Sequence, residues 1–174
     1  MASEHKAINY YEIGGKTIMV INGKMSISFP ESFLPLDQAT REKMHFYVSE
    51  PEVCLQDKER HMIVIVNHQQ LPLISRMMLK DKEVVSSLEK SCAKAMKNFD
   101  YSLVEFMNRQ IDGKMAYGFR YIYTAEAVPM EGECFTIRDG KLLYNLYVYY
   151  RKLLRDDSVS IWESIMDSIK WVKA

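Results

Sequence analysis

Four histidines (His5, His45, His61, His68) and three cysteines (Cys54, Cys92, Cys134) are the side chains of this 174-residue chain best suited to hold a metal or begin a nucleophilic attack. Their spacing argues against both. No HxH, HExxH, HxxxH or CxxC occurs, so no zinc or dithiol signature is present. His61 and His68 are seven positions apart, and on one continuous strand an odd separation puts them on opposite faces. Cys92 falls on the apolar stripe of a helix, where a thiol is inert. No GxSxG elbow, Walker loop or GxGxxG loop is found. Asp156-Asp157 sits where a helix N-terminus favours negative charge, which reads as capping before acid–base work. Lys90, Lys94 and Lys97 form a small basic stripe at helical spacing. With 23 basic against 23 acidic residues there is no net field to draw nucleic acid. No catalytic residue, metal or cofactor is expected.

Tyrosine is the excess that invites a binding role. There are eleven, and strand alternation places Tyr117, Tyr121 and Tyr123 on one face, with Tyr147 and Tyr149 together on another strand. If these faces meet, Tyr121, Tyr123, Tyr147 and Tyr149 make an aromatic surface of the kind enriched at interfaces. The alternative is that tyrosine suits strands and packs beneath a helix.

The elements that must position these residues are mostly paired strands. Asn22-Gly23, Asp112-Gly113 and Asp139-Gly140 each lie between β-prone apolar runs and supply the positive φ of a two-residue hairpin turn. The runs are 16–21 with 24–29, 101–111 with 114–124, and 134–139 with 141–150. His61-Met-Ile-Val-Ile-Val66 is apolar on both faces and reads as a central covered strand, with a short strand over 52–56 before it. Asp37 caps a short helix running to about Phe46. Asp81 caps a longer one to about Asn98, with Val85, Leu88, Cys92, Ala95 and Met96 on its apolar stripe. Ser160 and Glu163 fit a capping box for a closing helix, whose stripe is Ile161, Ile165, Ile169 and Val172. Some seven strands and three helices result: an α+β fold, a mostly antiparallel sheet with helices on both faces.

This pattern resembles the PsbP-like group, which includes the photosystem II extrinsic protein, a yeast Ran-binding import factor of the same fold and bacterial proteins of unknown function. The resemblance spans about Gly15 to Val172. It rests on the early hairpin ending in Phe29-Pro30, on Pro51-Glu52-Val53 before the central strand and on the mid-chain helix. The Asp112-Gly113 turn leads into Lys114-Met-Ala-Tyr-Gly-Phe119, and the Gly140-Lys-Leu-Leu-Tyr144 strand and the Ile161–Ile169 helix close it. These are turn and packing features. The group implies a binding or adaptor role and no shared reaction.

The reading is a polar segment over 1–8 followed by a single domain over 9–174. The function expected is non-enzymatic binding through protein contacts, with an unidentified protein or a second copy of the chain as partner, and with neither nucleic acid nor membrane. A small-ligand binder with a Tyr/Met-lined pocket between sheet and helix is the alternative. Three unpaired thiols and the absence of a signal-peptide core suit the cytoplasm; export is the alternative if Met1-Ala2-Ser3 replaces a removed leader.

Overall fold

The computed structural model describes residues 9–43, 51–73 and 80–172. Its strands are β1 (Asn9–Ile13), β2 (Lys16–Ile21), β3 (Met25–Pro30), β4 (Leu34–Pro35), β5 (Val53–Asp57), β6 (Met62–Gln70), β7 (Ser102–Ile111), β8 (Lys114–Ala125), β9 (Val128–Asp139), β10 (Leu142–Arg151) and β11 (Lys170–Trp171). Its helices are α1 (Gln38–Lys43), α2 (Asp81–Ala95) and α3 (Arg155–Asp167), the last entered through a 3-10 turn at Lys152–Leu154. None of these helices is long and apolar enough to cross a membrane.

Every strand pairing is antiparallel. Seven strands form one sheet in the order β4-β5-β6-β10-β9-β8-β7, and β1-β2-β3-β11 form a second. The large sheet is covered on both faces. On one, Val85 and Cys92 of α2 and Met96 just beyond it pack on Ile65, Phe119, Tyr121, Cys134 and Tyr147. On the other, Trp162, Ile165 and Met166 of α3 share a core with Met25, Ile27 and Phe29 of β3 and with Val64, Val66 and Tyr150. The early hairpin thus belongs to a covering layer of its own beside α3. β6 is central: Met62, Val64 and Val66 face one core and Ile65 the other, all buried.

All three Xaa-Gly sites fall at hairpin turns, but only Asp112-Gly113 is the two-residue turn expected: Ile21 pairs with Met25, so Asn22-Gly23-Lys24 make a three-residue turn, and Asp139 pairs with Leu142, so Gly140-Lys141 make the last one. Asn22, Gly23, Asp112, Gly113 and Gly140 are at positive φ. The β8–β9 hairpin had no such signal. It turns on Glu126-Ala127, at φ 50° and 64°, so β9 starts at Val128, six residues before the expected Cys134. Tertiary pairing along twelve-residue strands outweighs the local cost of αL at these residues. β1, turning at Gly14-Gly15, was also missed.

The helix ends differ too. α1 ends at Lys43 among the described residues; the rest of its expected span, to Phe46, lies outside them. α2 begins at Asp81 with Lys80 as N-cap, where the Lys80 N–H donates to Glu83 Oε2 at 2.8 Å. Ala95, expected on its buried stripe, is exposed. α3 starts at Arg155, not Ser160, because Asp156-Asp157 already supply first-turn negative charge. It ends at Asp167, so Ile169 is buried from beyond the helix and Val172, expected on its stripe, is exposed. The chain instead turns into β11. Trp171 N–H donates to Asp112 Oδ2 at 2.9 Å, and its indole N–H to the Ile111 carbonyl at 3.3 Å, which ties the small sheet to the β7–β8 turn.

Candidate binding surface

The tyrosine faces do meet, but beneath α2. Register sets Tyr121 against Gly132 on β9, and Gly132 against Tyr149 on β10. The glycine is required there: a Cβ would lie 2.6 Å from the Tyr121 ring, so its absence lets that ring lie flat over β9. Tyr121 is 5.8 Å from Tyr123, centroid to centroid, and Tyr123 is 6.4 Å edge-on from Tyr149. Tyr101 and Phe119 flank Tyr121 at 5.2 and 5.7 Å. Tyr121 and Tyr147 are buried core residues, while Tyr123 and Tyr149 are half-buried. Burial pushes the hydroxyls of Tyr121, Tyr147 and Tyr149 well above the ordinary tyrosine range, so they stay neutral. Of the four, only the outer rings of Tyr123 and Tyr149 keep accessible surface.

The other candidates are held as structure. All three cysteines are buried, and burial pushes the Cys92 thiol to about 12, Cys134 well above its ordinary value and Cys54 upward. His61 lies in the β5–β6 turn at φ 51°. His68 Nδ1 is 2.6 Å from Glu52 Oε1, with its ring stacked on Tyr144. His5 and His45 lie outside the described residues. Among those described, no three His, Cys, Asp or Glu side chains gather as a metal site. Lys90, Lys94 and Lys97 are exposed, which is the solvated-face arrangement.

A buried acidic pair was not anticipated. Glu131 and Glu133, two apart on β9, both point toward α3 and are almost fully buried. Tyr150 donates to Glu131 Oε1 at 2.9 Å, Arg155 Nε donates to the same oxygen at 3.1 Å, and Trp162 Nε1 donates to Glu133 Oε2 at 2.9 Å. Burial raises the Glu133 pKa, opposed by the Trp162 hydrogen bond and Arg120. The network clasps α3 onto the sheet and leaves its carboxylates engaged by the protein. Its sequence signal was the Glu-Gly-Glu alternation, which aims both acids to one face.

Two open features stand out among the described residues. β7 is the edge of the large sheet, and its first five residues are exposed. Phe106 is 50% exposed, Val104 45% and Leu103 36%. Beside it a groove of about 320 Å3 runs between β7–β8 and the start of α2, lined by Phe106, Asn108, Tyr117, Val85 and Lys82. This edge carried a sequence signal, since Leu103-Val-Glu-Phe-Met is too apolar for a solvated strand, but nothing in the sequence makes β7 the last strand. The second feature is a cleft of about 640 Å3 at the far end of the sheet, lined by Met62, Ile63, Phe99, Met130, His61 and Arg151.

No protein-family model and no curated protein matches the sequence. Solved structures do match in three dimensions. Cyanobacterial PsbP (CyanoP) from Synechocystis is 12% identical, with 95% of this chain and 92% of that one covered and a TM-score of 0.65. LpqN of Mycobacterium tuberculosis, described as involved in cell envelope biogenesis, is 9% identical over 96% and 91% of the two chains, at a TM-score of 0.57. A protein of unknown function from Pseudomonas aeruginosa is 10% identical over 96% and 99%, at 0.50. Likeness at this identity speaks to fold alone. Its antiparallel sheets, mid-chain helix and closing helix, superposing on CyanoP over nearly the whole of both chains, give this protein the PsbP-like fold.

Proposed function

We propose that this protein is a non-enzymatic binding domain that acts through contact with another protein, and that the docking surface is the outer edge of β7. One observation carries this reading: a ten-residue strand that ends the sheet is exposed over Leu103, Val104 and Phe106, and no other strand pairs with its outer edge among the described residues. An edge of this length and apolarity is a template for strand addition unless blunted. A partner's extended segment would take main-chain hydrogen bonds from β7 and place an apolar side chain in the groove beside Phe106 and Tyr117.

The geometry supplies a selective test. The two-residue Asp112-Gly113 turn makes Ile111 and Lys114 a hydrogen-bonded pair, and the register is unbroken back to Glu105 and Arg120. Arg109 and Met107 therefore aim their N–H groups at β8, while Gln110, Asn108 and Phe106 aim theirs outward. Asn108→Pro removes one outward donor and no ladder bond. A protein retained from host extract by the wild type should be lost by Asn108→Pro at an unchanged melting temperature. Equal retention would place the contact elsewhere.

A second reading has its own observation. The 640 Å3 cleft combines Met62, Met130 and Phe99 with Arg151, which makes no ion pair among the described residues. That combination suits a small amphipathic anion. A rise in melting temperature with octanoate, absent in Arg151→Gln, is its expected signature; no rise with either protein would dismiss it.

A further inference from the structure

We infer that β7 pairs antiparallel with β7 of a second copy of this chain, in the register that sets Met107 opposite Met107 about a two-fold axis. This rests on the strand-docking reading of that edge and names its occupant. Around such an axis, outward-facing residues must meet outward-facing residues, so the strand can centre on Phe106, Met107 or Asn108 but not between residues.

Charge chooses among the three. Centred on Met107, Glu105 faces Arg109 of the second copy, twice by symmetry. These are non-hydrogen-bonded positions, where Cα atoms are about 4.5 Å apart and side chains are closest. Centred on Phe106, Glu105 meets Met107 and Arg109 falls opposite the bulged end of the strand. Centred on Asn108, Glu105 meets Ile111 and Arg109 meets Met107. Neither alternative sets opposite charges against one another.

The two charged groups are already positioned at the edge. Arg109 is held by Glu163 and Asp167 of α3, at 2.6 Å each, which uses two of the five donors of its guanidinium. Glu105 is held by Arg120 at 2.6 Å and its side chain is 50% exposed. On the opposite face Phe106 meets Asn108 of the second copy. The two exposed Phe106 rings then lie diagonal to one another, within reach for aromatic contact. The bulge between Leu103 and Glu105 leaves Val104 without a partner on β8, so the regular shared ladder runs over Glu105 to Arg109.

Cysteine placement tests the register, because the native thiols are all buried. Light scattering on the wild type should give a dimer at micromolar concentration, and Asn108→Pro should give a monomer that keeps its far-ultraviolet spectrum. Met107→Cys should form an oxidised, disulfide-linked dimer at least tenfold faster than the exposed control Asn108→Cys. A wild-type monomer at all concentrations, a dimer indifferent to Asn108→Pro, or faster linkage at Asn108→Cys than at Met107→Cys would each overturn the inference. If the wild type is monomeric while Asn108→Pro still abolishes capture of a different protein, self-pairing falls and strand docking stands.

Discussion

Glu133 shows how one residue can work against the stability it helps to organise. Its carboxyl accepts the Trp162 indole N–H and so fixes the middle of α3, yet burial raises its pKa above the ordinary 4.5. The folded state therefore holds this proton more tightly than the unfolded chain does. Stability from this group is greatest below about the unfolded pKa and falls as pH rises through the folded one. Glu133→Gln keeps an acceptor oxygen and removes the titration. Its melting temperature should gain on the wild type as pH rises above about 4.5 and level off once Glu133 is ionised; a loss that grows with pH would show that the charge itself is needed. Asp37 has the opposite sign. The Thr40 backbone N–H, together with Gln56 and the Thr40 hydroxyl, pulls its pKa down to about 2, so what it contributes is present above 3.8 and lost as pH falls through about 2. Gly132 is a third single-residue dependence. An alanine there drives its methyl into the Tyr121 ring, and overpacking of this kind costs about 1–3 kcal/mol. Chemical denaturation should show that loss in Gly132→Ala; a neutral result would mean that the aromatic layer can shift.

Among the elements, β6 and α3 carry the most. β6 is buried on both faces, so a charge on it has no solvent to reach. Val64→Asp should give no soluble, cooperatively melting protein, and recovery of such protein would contradict the central position of the strand. α3 covers the large sheet with Trp162, Ile165 and Met166, and the chain beyond it adds Ile169 and the Trp171 tie to the β7–β8 turn. Each large side chain lost from a core costs about 2–5 kcal/mol, and a domain's whole stability is about 5–15. Truncation after Asp157 should therefore leave insoluble or unfolded chain; a cooperative melt near the full-length temperature would make α3 peripheral.

The whole molecule is joined across its layers. β3, α3, β6 and β10 share one core, and β11 pairs with β3 while its Trp171 bonds to the β7–β8 turn. Neither sheet can lose its partner layer without exposing that core, so unfolding should be one transition. Fluorescence of Trp162 and Trp171 and the far-ultraviolet signal should give coincident denaturation curves; separated midpoints would divide the molecule into two units.

Turns and burial patterns were legible without the fold because they are local. Asn22-Gly23, Asp112-Gly113 and Gly140 adopt positive φ cheaply, and the run Met62 to Val66 has no polar face to expose. The α2 stripe placed Cys92 inside for the same reason. The Glu126-Ala127 turn could not be read this way, because its residues adopt αL only under the pull of β8 on β9, and neither could the end of α3, where β3 captures the following residues as β11. The candidate site divides likewise. Strand alternation by itself put Tyr121 and Tyr123 on one face and Tyr147 and Tyr149 on one face. Whether those faces met solvent depended on where α2 lay, and α2 buried two of the four rings. That β7 is an edge is a property of strand order, which long-range pairing decides and no local spacing encodes; that order left Phe106 exposed on a strand whose outer edge pairs with no other strand among the described residues.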